Sequence, residues 1–143
     1  MKLVVDANIL VAELTRKRGR ELIASANLEL FVAQTPWQET QYELSKRYRA
    51  IAARTGASLD HAEEQYKLAI QLAEASVQVM EQAIYASFEQ DARERIPRDP
   101  DDWPTVALAL FLGVDIWTQD KDFLGCGVAT WTTDTLLARL RLS

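Results

Sequence analysis

Residues 97–123 read PRDPDDWPTVALALFLGVDIWTQDKDF. Three acids, Asp99, Asp101 and Asp102, stand at the front. The apolar run 106–112 behind them is long enough for a helix buried on most of its surface, and Gly113 is a good helix stop. Residues 114–117, VDIW, read as a short strand, after which Thr118 leads into Asp120 and Asp122. One acid cluster therefore sits where a helix begins, and another where the next strand ends. In a parallel α/β sheet those two places share the edge beyond the carboxyl ends of the strands, where such sheets bind their ligands.

The N-terminus supplies a third acid for that edge. Residues 2–5, KLVV, read as the first strand, with LVV a continuous apolar run of the kind buried on both faces of a sheet, and Asp6 ends it. Asn8 is placed to cap a helix carrying Ile9, Leu10, Ala12 and Leu14, with Gly19 as its breaker and a further helical turn at 21–26. Residues 28–32 read as the second strand. Thr35-Pro36 is a helix-start signal, and the helix it opens runs to about Arg54, with Glu39 near its start and Glu43 one turn later. Gly56 breaks the chain. Ser58 caps the next helix, which ends near Ala75. Residues 76–80 alternate like a third strand, 81–95 have helical periodicity, and 127–131 read as a last strand. Thr132-Thr133-Asp134 then caps a final helix with Leu136, Leu137 and Leu140. Strands alternating with helices predict a parallel sheet with helices on both faces.

At 143 residues the chain is expected to be a single domain, with a helical extension at about 36–75. Trp37, Tyr42, Tyr48 and Tyr66 of that extension either serve a dimer surface or pack against each other. A net charge of −5 argues against whole-surface attraction to nucleic acid or anionic lipid, though not against a local basic path. No window is apolar enough to span a membrane, and Met1-Lys2 runs into a strand without a signal-peptide pattern. The lone Cys126 rules out a disulfide framework or a Cys-rich zinc site and suits a reducing cytoplasm.

Asp6, Glu39, Asp102 and Asp120, with Asp99, Asp101 and Asp122 nearby, all lie beside apolar runs rather than on polar helix faces. Asp101, Asp115 and Asp134 read as structural caps. Carboxylates gathered on one point repel, so at least one pKa should rise unless a cation compensates. Oxygen donors without His or Cys favour Mg²⁺ or Mn²⁺ over zinc. Such a site suits phosphodiester hydrolysis. A phosphoacceptor receiver fits poorly, because neither 28–32 nor 76–80, the strands read as central, is followed by an acceptor Asp. An aspartate-nucleophile phosphatase fits poorly because Asn8 stands where its second acid belongs.

The set of motifs resembles the PIN-domain family over nearly the whole chain. The resemblance rests on V-V-D-A-N at residues 4–8, a Glu early in the helix after the second strand, D-P-D-D-x-x-x-x-A-L-A-L-x-x-G at 99–113, and W-T-Q-D-K-D-F at 117–123. It implies a three-layer α/β/α sandwich with a mostly parallel central sheet. It also implies a Mg²⁺- or Mn²⁺-dependent endoribonuclease, of which many bacterial relatives are VapC-type toxins held inactive by an antitoxin. Carried over by position, Asp6, Asp102 and Asp120 would hold the metal directly or through water, and Asp122 would be an accessory ligand. Glu39, preferred to Glu43, would position the attacking water or bind a second metal. Asn8, Thr118 and Asp99 would support them. Arg16, Lys17 and Arg18, with Lys46 and Arg47, are the cations available to guide RNA, and plain solvated helix faces are an equal reading of them. The partners expected are RNA, an antitoxin and a second copy in a homodimer, with no membrane. The alternative to an enzyme is a catalytically weak PIN-like module that binds RNA or protein.

Overall fold

A computed structural model describes residues 1–141. Five strands, β1 (Lys2–Val5), β2 (Glu29–Ala33), β3 (Val77–Met80), β4 (Asp115–Trp117) and β5 (Thr130–Trp131), form one sheet in the order β3-β2-β1-β4-β5. Every neighbouring pair is parallel. The central strand is therefore β1, not either of the strands expected there, and the acid that ends it is Asp6. Centrality alone thus does not argue against a receiver.

Eight helices cover the sheet: α1 (Ala7–Leu14), α2 (Lys17–Ile23), α3 (Gln34–Thr55), α4 (Leu59–Ser76), α5 (Gln82–Tyr85), α6 (Glu89–Arg95), α7 (Trp103–Leu112) and α8 (Thr133–Arg141). Strand side chains alternate between two cores, as the pleat requires. Leu3, Val5, Leu30, Val32 and Trp117 join residues of α1 to α4 and α8 on one face. Val4, Phe31, Ala33 and Ile116 join Tyr85, Ala92 and most of α7 on the other. The result is a three-layer α/β/α sandwich whose sheet is wholly parallel. After β2 and β3 form on one side of β1, the chain crosses the opposite face to place β4 on the other side. The strand order thus reverses between β1 and β4, which opens a crevice at their carboxyl ends.

Several local expectations change in the structure. Asp6, not Asn8, caps α1: its backbone is extended, and its carboxylate accepts the Asn8 amide at 2.5 Å. The helix ends at Thr15, whose hydroxyl folds back onto the Ala12 carbonyl. Gly19 lies inside α2, buried against Glu13, where a Cβ would come 2.2 Å from the Glu13 carbonyl oxygen. Its role is close helix packing, not chain breaking. The third helix opens one residue before Thr35, with Ala33 at the cap position and no side-chain cap bond.

Residues 81–95 form two helices joined by a 3-10 turn at Ala86–Phe88, not one continuous helix. That turn lets Tyr85 and Ala92 both stay buried while Phe88 meets Phe111 edge-on, 6.5 Å between centroids. The last strand shrinks to two residues. Gly127 before it has φ +86°, and the Arg95 guanidinium occupies the space a Cβ would need while donating to the Cys126 carbonyl at 2.9 Å. Asp115 is no cap: it lies in β4 and accepts the Trp131 indole N–H at 2.8 Å. Trp37 is buried, and Tyr48 and Tyr66 pack on the first core, so of the four aromatics proposed for a surface only Tyr42 faces solvent. No described helix is long and apolar enough to cross a membrane.

Candidate active site

Each acid reaches the crevice by a different element. Asp6 follows β1 directly; its amide donates to the Trp117 carbonyl at 3.2 Å, which ties it to β4. The first residue beyond β4, the buried Thr118, turns its hydroxyl onto the other Asp6 oxygen. That same Thr118 oxygen accepts the Asp120 amide at 2.9 Å, and Asp120 accepts the Asp122 amide at 2.9 Å. One hydroxyl thus fixes both the end of β1 and the turn carrying the second acid. Asp102 is delivered by a 3-10 turn, Pro100–Asp102, at the entrance of α7. The proline at the second position of that helix is tolerated because an amide there would have no partner in the helix. Glu39 enters from the first turns of α3.

Asp6, Asn8, Thr35, Pro36, Glu39, Asp101, Asp102, Thr105, Asp120 and Phe123 line one cleft of about 410 Å³, part of it open to solvent. Glu43 does not line it and lies 3.8 Å from Lys46 instead. Among the other expected residues, Asn8 takes part through its backbone amide, and its side chain is exposed at the cleft wall. Asp99 lies outside the cleft lining; its carbonyl accepts the Asp102 amide at 3.2 Å, and its charge acts on the Asp102 carboxyl. Asp122, expected as an accessory ligand, does not line the cleft and lies 3.7 Å from Arg98.

The electrostatics report the crowding. Burial, the largest effect, raises the Asp6 pKa, against the lowering hydrogen bonds from Thr118, Asn8 and Ile9 and with a smaller push from Asp120. Glu39 is raised by burial and then by the charges of Asp6, Glu43 and Asp99. Asp102 is pushed up to about 7, first by burial, then by the neighbouring Asp99 carboxylate and the hydrogen bond between them, then by Asp120 and Asp6. These are groups from four separate chain segments acting on one another.

The sign of this effect yields a prediction. An acid with a raised pKa keeps its proton in the fold at a pH where the unfolded chain has lost it, so stability falls as pH rises from about 4 to about 7. For Asp102 the full shift would be worth ~4 kcal/mol, which screening in a half-open cleft reduces to roughly 1–2 kcal/mol. Asp102→Asn should flatten the metal-free melting temperature across that range. Equal slopes for parent and variant would remove the coupling.

Two cleft features carried no functional reading in the sequence. Thr105 is buried in the wall, and its only local signal is a polar residue one turn after Asp102 at the start of an apolar run. Asp101 lines the cleft while pairing with Arg93 at 3.3 Å. Of the expected cations, Arg16 is held 3.6 Å from the buried Glu13, Lys46 sits over the Tyr42 ring, and Lys17 and Arg18 are exposed on α2. None of them, nor Arg47, lines the acidic cleft.

The donor set is all carboxylate oxygen, the chemistry of a hard dication. Among the described residues, however, no three Asp, Glu, His or Cys side chains converge closely enough to ligate one ion together. The cleft therefore fits an ion that keeps most of its waters and meets one or two carboxylates directly, as Mg²⁺ does.

A parallel doubly wound sheet with an acid-lined cleft at its switch point defines the class to which this chain belongs. A family model, the PIN domain, matches residues 4–141, and the chain is a member of the PIN-domain family, whose proteins are generally nucleases. The crystal structure of PAE2754 from Pyrobaculum aerophilum is similar, with a TM-score of 0.67 at 22% identity, covering 100% of this chain and 91% of that one. At that identity the likeness shows the fold alone. No curated protein matches the chain.

Proposed function

We propose that this PIN domain is a Mg²⁺- or Mn²⁺-dependent endoribonuclease whose centre is the cleft of Asp6, Glu39, Asp102 and Asp120. The observation that carries the reading is the Thr118 hydroxyl, which links Asp6 to the Asp120 turn and so makes two distant acids one unit. Asp6 and Asp120 would hold the ion, with Asp102 contributing once it has lost its proton. A bound dication would activate water and offset charge gathering on the phosphate. Glu39, which lines the cleft, would take the proton of the attacking water as the P–O bond to the leaving sugar oxygen breaks. Asn8 and Asp122 flank the site, and Thr118 keeps Asp6 oriented.

Addition of Mn²⁺ or Mg²⁺ should raise the melting temperature, since an ion at about 100 times its dissociation constant adds ~2.7 kcal/mol to the folded state. The same ions should switch on cleavage of single-stranded RNA, read on a denaturing gel. Neither cleavage nor a thermal shift with either ion would end the nuclease reading.

A second reading is a catalytically weak module that binds RNA or protein; a thermal shift without cleavage would select it. The nuclease reading also carries a cognate antitoxin and a homodimer. A small gene adjoining this one, whose product silences the cleavage, would make the chain a toxin. Sedimentation would test the dimer.

A further inference from the structure

Helices α1 and α3 both start at the acidic edge and run away from it side by side. On α3 the residues Glu39, Glu43, Arg47, Ala50 and Arg54 fall at spacings of four and three and share one face. On α1, Asn8, Ala12 and Thr15 do the same. The cleft occupies the first end of this helix pair. At the other end a surface groove is lined by Thr15, Arg47, Ala50, Ile51 and Arg54. A second hollow shares Thr15 and Ile51 with it and adds Arg20 and His61. No acid lines either one.

The arginines of this groove are among the described cations that no acid pairs. The chain holds 21 acids against 16 Lys and Arg, and Arg93, Arg95, Arg98, Lys46 and Lys67 each have a carboxylate within reach. Among the described residues Arg47 and Arg54 have none and stand exposed. Arg20 gives one guanidinium nitrogen to the Leu14 carbonyl at 3.1 Å, where the Tyr48 hydroxyl also donates at 3.1 Å. That bond anchors its side chain beside the groove. Eight residues separate Glu39 from Arg47, about 12 Å along the helix. One stripe therefore passes from carboxylates to unpaired guanidinium groups over a distance that a few nucleotides span.

We propose that the Arg47–Arg54 groove is a second binding site, which takes phosphate groups of the RNA strand whose cleaved bond lies in the acidic cleft. The inference rests on the ribonuclease reading for the strand's identity and on the groove alone for its phosphate chemistry. A polyanion entering a protein of net charge −5 needs cations wherever it touches. A metal ion would serve at the cleft, and arginine, with its planar fork of donors, serves at the groove.

The test is binding of a fluorescein-labelled single-stranded RNA to the full chain in excess chelator, read by anisotropy over a range of salt. Charge reversal in R47E/R54E should weaken binding at least about 10-fold and lower the salt slope by roughly 1.4, the value of two single-strand phosphate contacts. The rise in melting temperature with Mn²⁺, which reports the cleft, should stay as in the parent. R47K/R54K, which keeps the charge but loses the fork, should bind more weakly than the parent and clearly more tightly than R47E/R54E. Binding by R47E/R54E within twofold of the parent overturns the proposal, as does equal weakening in the lysine pair. A melting shift with inorganic phosphate, lost in R47E/R54E while RNA affinity is unchanged, would make this a free-phosphate site and also overturn it. Poly-glutamate binding as tightly as RNA would do the same. Because no divalent ion is present, these results stand whether or not the parent cleaves RNA.

Discussion

We expect Asp6→Asn to lower RNA cleavage at least about 100-fold, since even partners one shell out from a metal are worth 10–100-fold. It should also erase most of the melting-temperature rise given by Mn²⁺, while leaving the fold intact. Asparagine is nearly isosteric and still caps α1 through its side-chain oxygen, while its amide nitrogen, standing where the second oxygen was, donates to the Thr118 hydroxyl instead of accepting from it. It also relieves the cost of burying a charge, which is the main force raising the Asp6 pKa. The metal-free variant should therefore melt at or above the parent's temperature. This combination separates a lost ligand from a lost fold: a variant that cuts RNA as well as the parent would dismiss Asp6 from the mechanism. A variant that melts well below the parent would make Asp6 structural.

The largest stability effect is expected at Gly19→Ala. The new methyl would come 2.2 Å from the Glu13 carbonyl oxygen, 2.5 Å from its carboxylate and 2.6 Å from its Cα. Two of those atoms are backbone, so a rotamer change cannot relieve the clash and α1 must move off α2. Glu13 is itself buried, accepting from Thr133 at 3.4 Å, and Thr133 accepts the Trp117 indole N–H at 3.1 Å. Moving α1 would therefore disturb β4 and α8 as well. Overpacking of this kind costs about 3 kcal/mol or more, a drop of roughly 10 °C in a chain this long. The intrinsic helix preference of alanine favours the substitution by only ~1 kcal/mol, so packing decides the sign. An unchanged or raised melting temperature would contradict the α1–α2 packing described here.

Much of the site was legible because its signals are local. Asp6 ends an unbroken apolar run, Asp102 stands before one, and Asp120 follows a strand within three residues; a charge at such a place is costly without a use. Gly113 and Ser58 were legible as a helix stop and a cap for the same reason, since φ +67° and a side-chain bond to the His61 amide depend on immediate neighbours. Gly19 was misread because a glycine forced by a neighbouring helix looks, in one dimension, like a breaker. Asn8 was misread because Asp6, two residues earlier, could serve as both cap and site. The single helix expected at 81–95 broke in two because α7 demands different faces of Tyr85, Phe88 and Ala92.

By itself the chain's order of residues determined the chemical type of the centre, oxygen donors beside apolar strands, and the α/β alternation that carries them. Only the folded molecule decided that β1 is central and borders β4, since parallel pairing joins segments over a hundred residues apart through bonds between backbones that are alike at every position. The same long-range step brought Thr118 onto Asp6, 112 residues away, kept Glu39 in the cleft and Glu43 out of it, and left Arg47 and Arg54 without an acid. Which side chains meet depends on how helix faces are covered, and that is settled by packing across the sheet, not by neighbours along the chain.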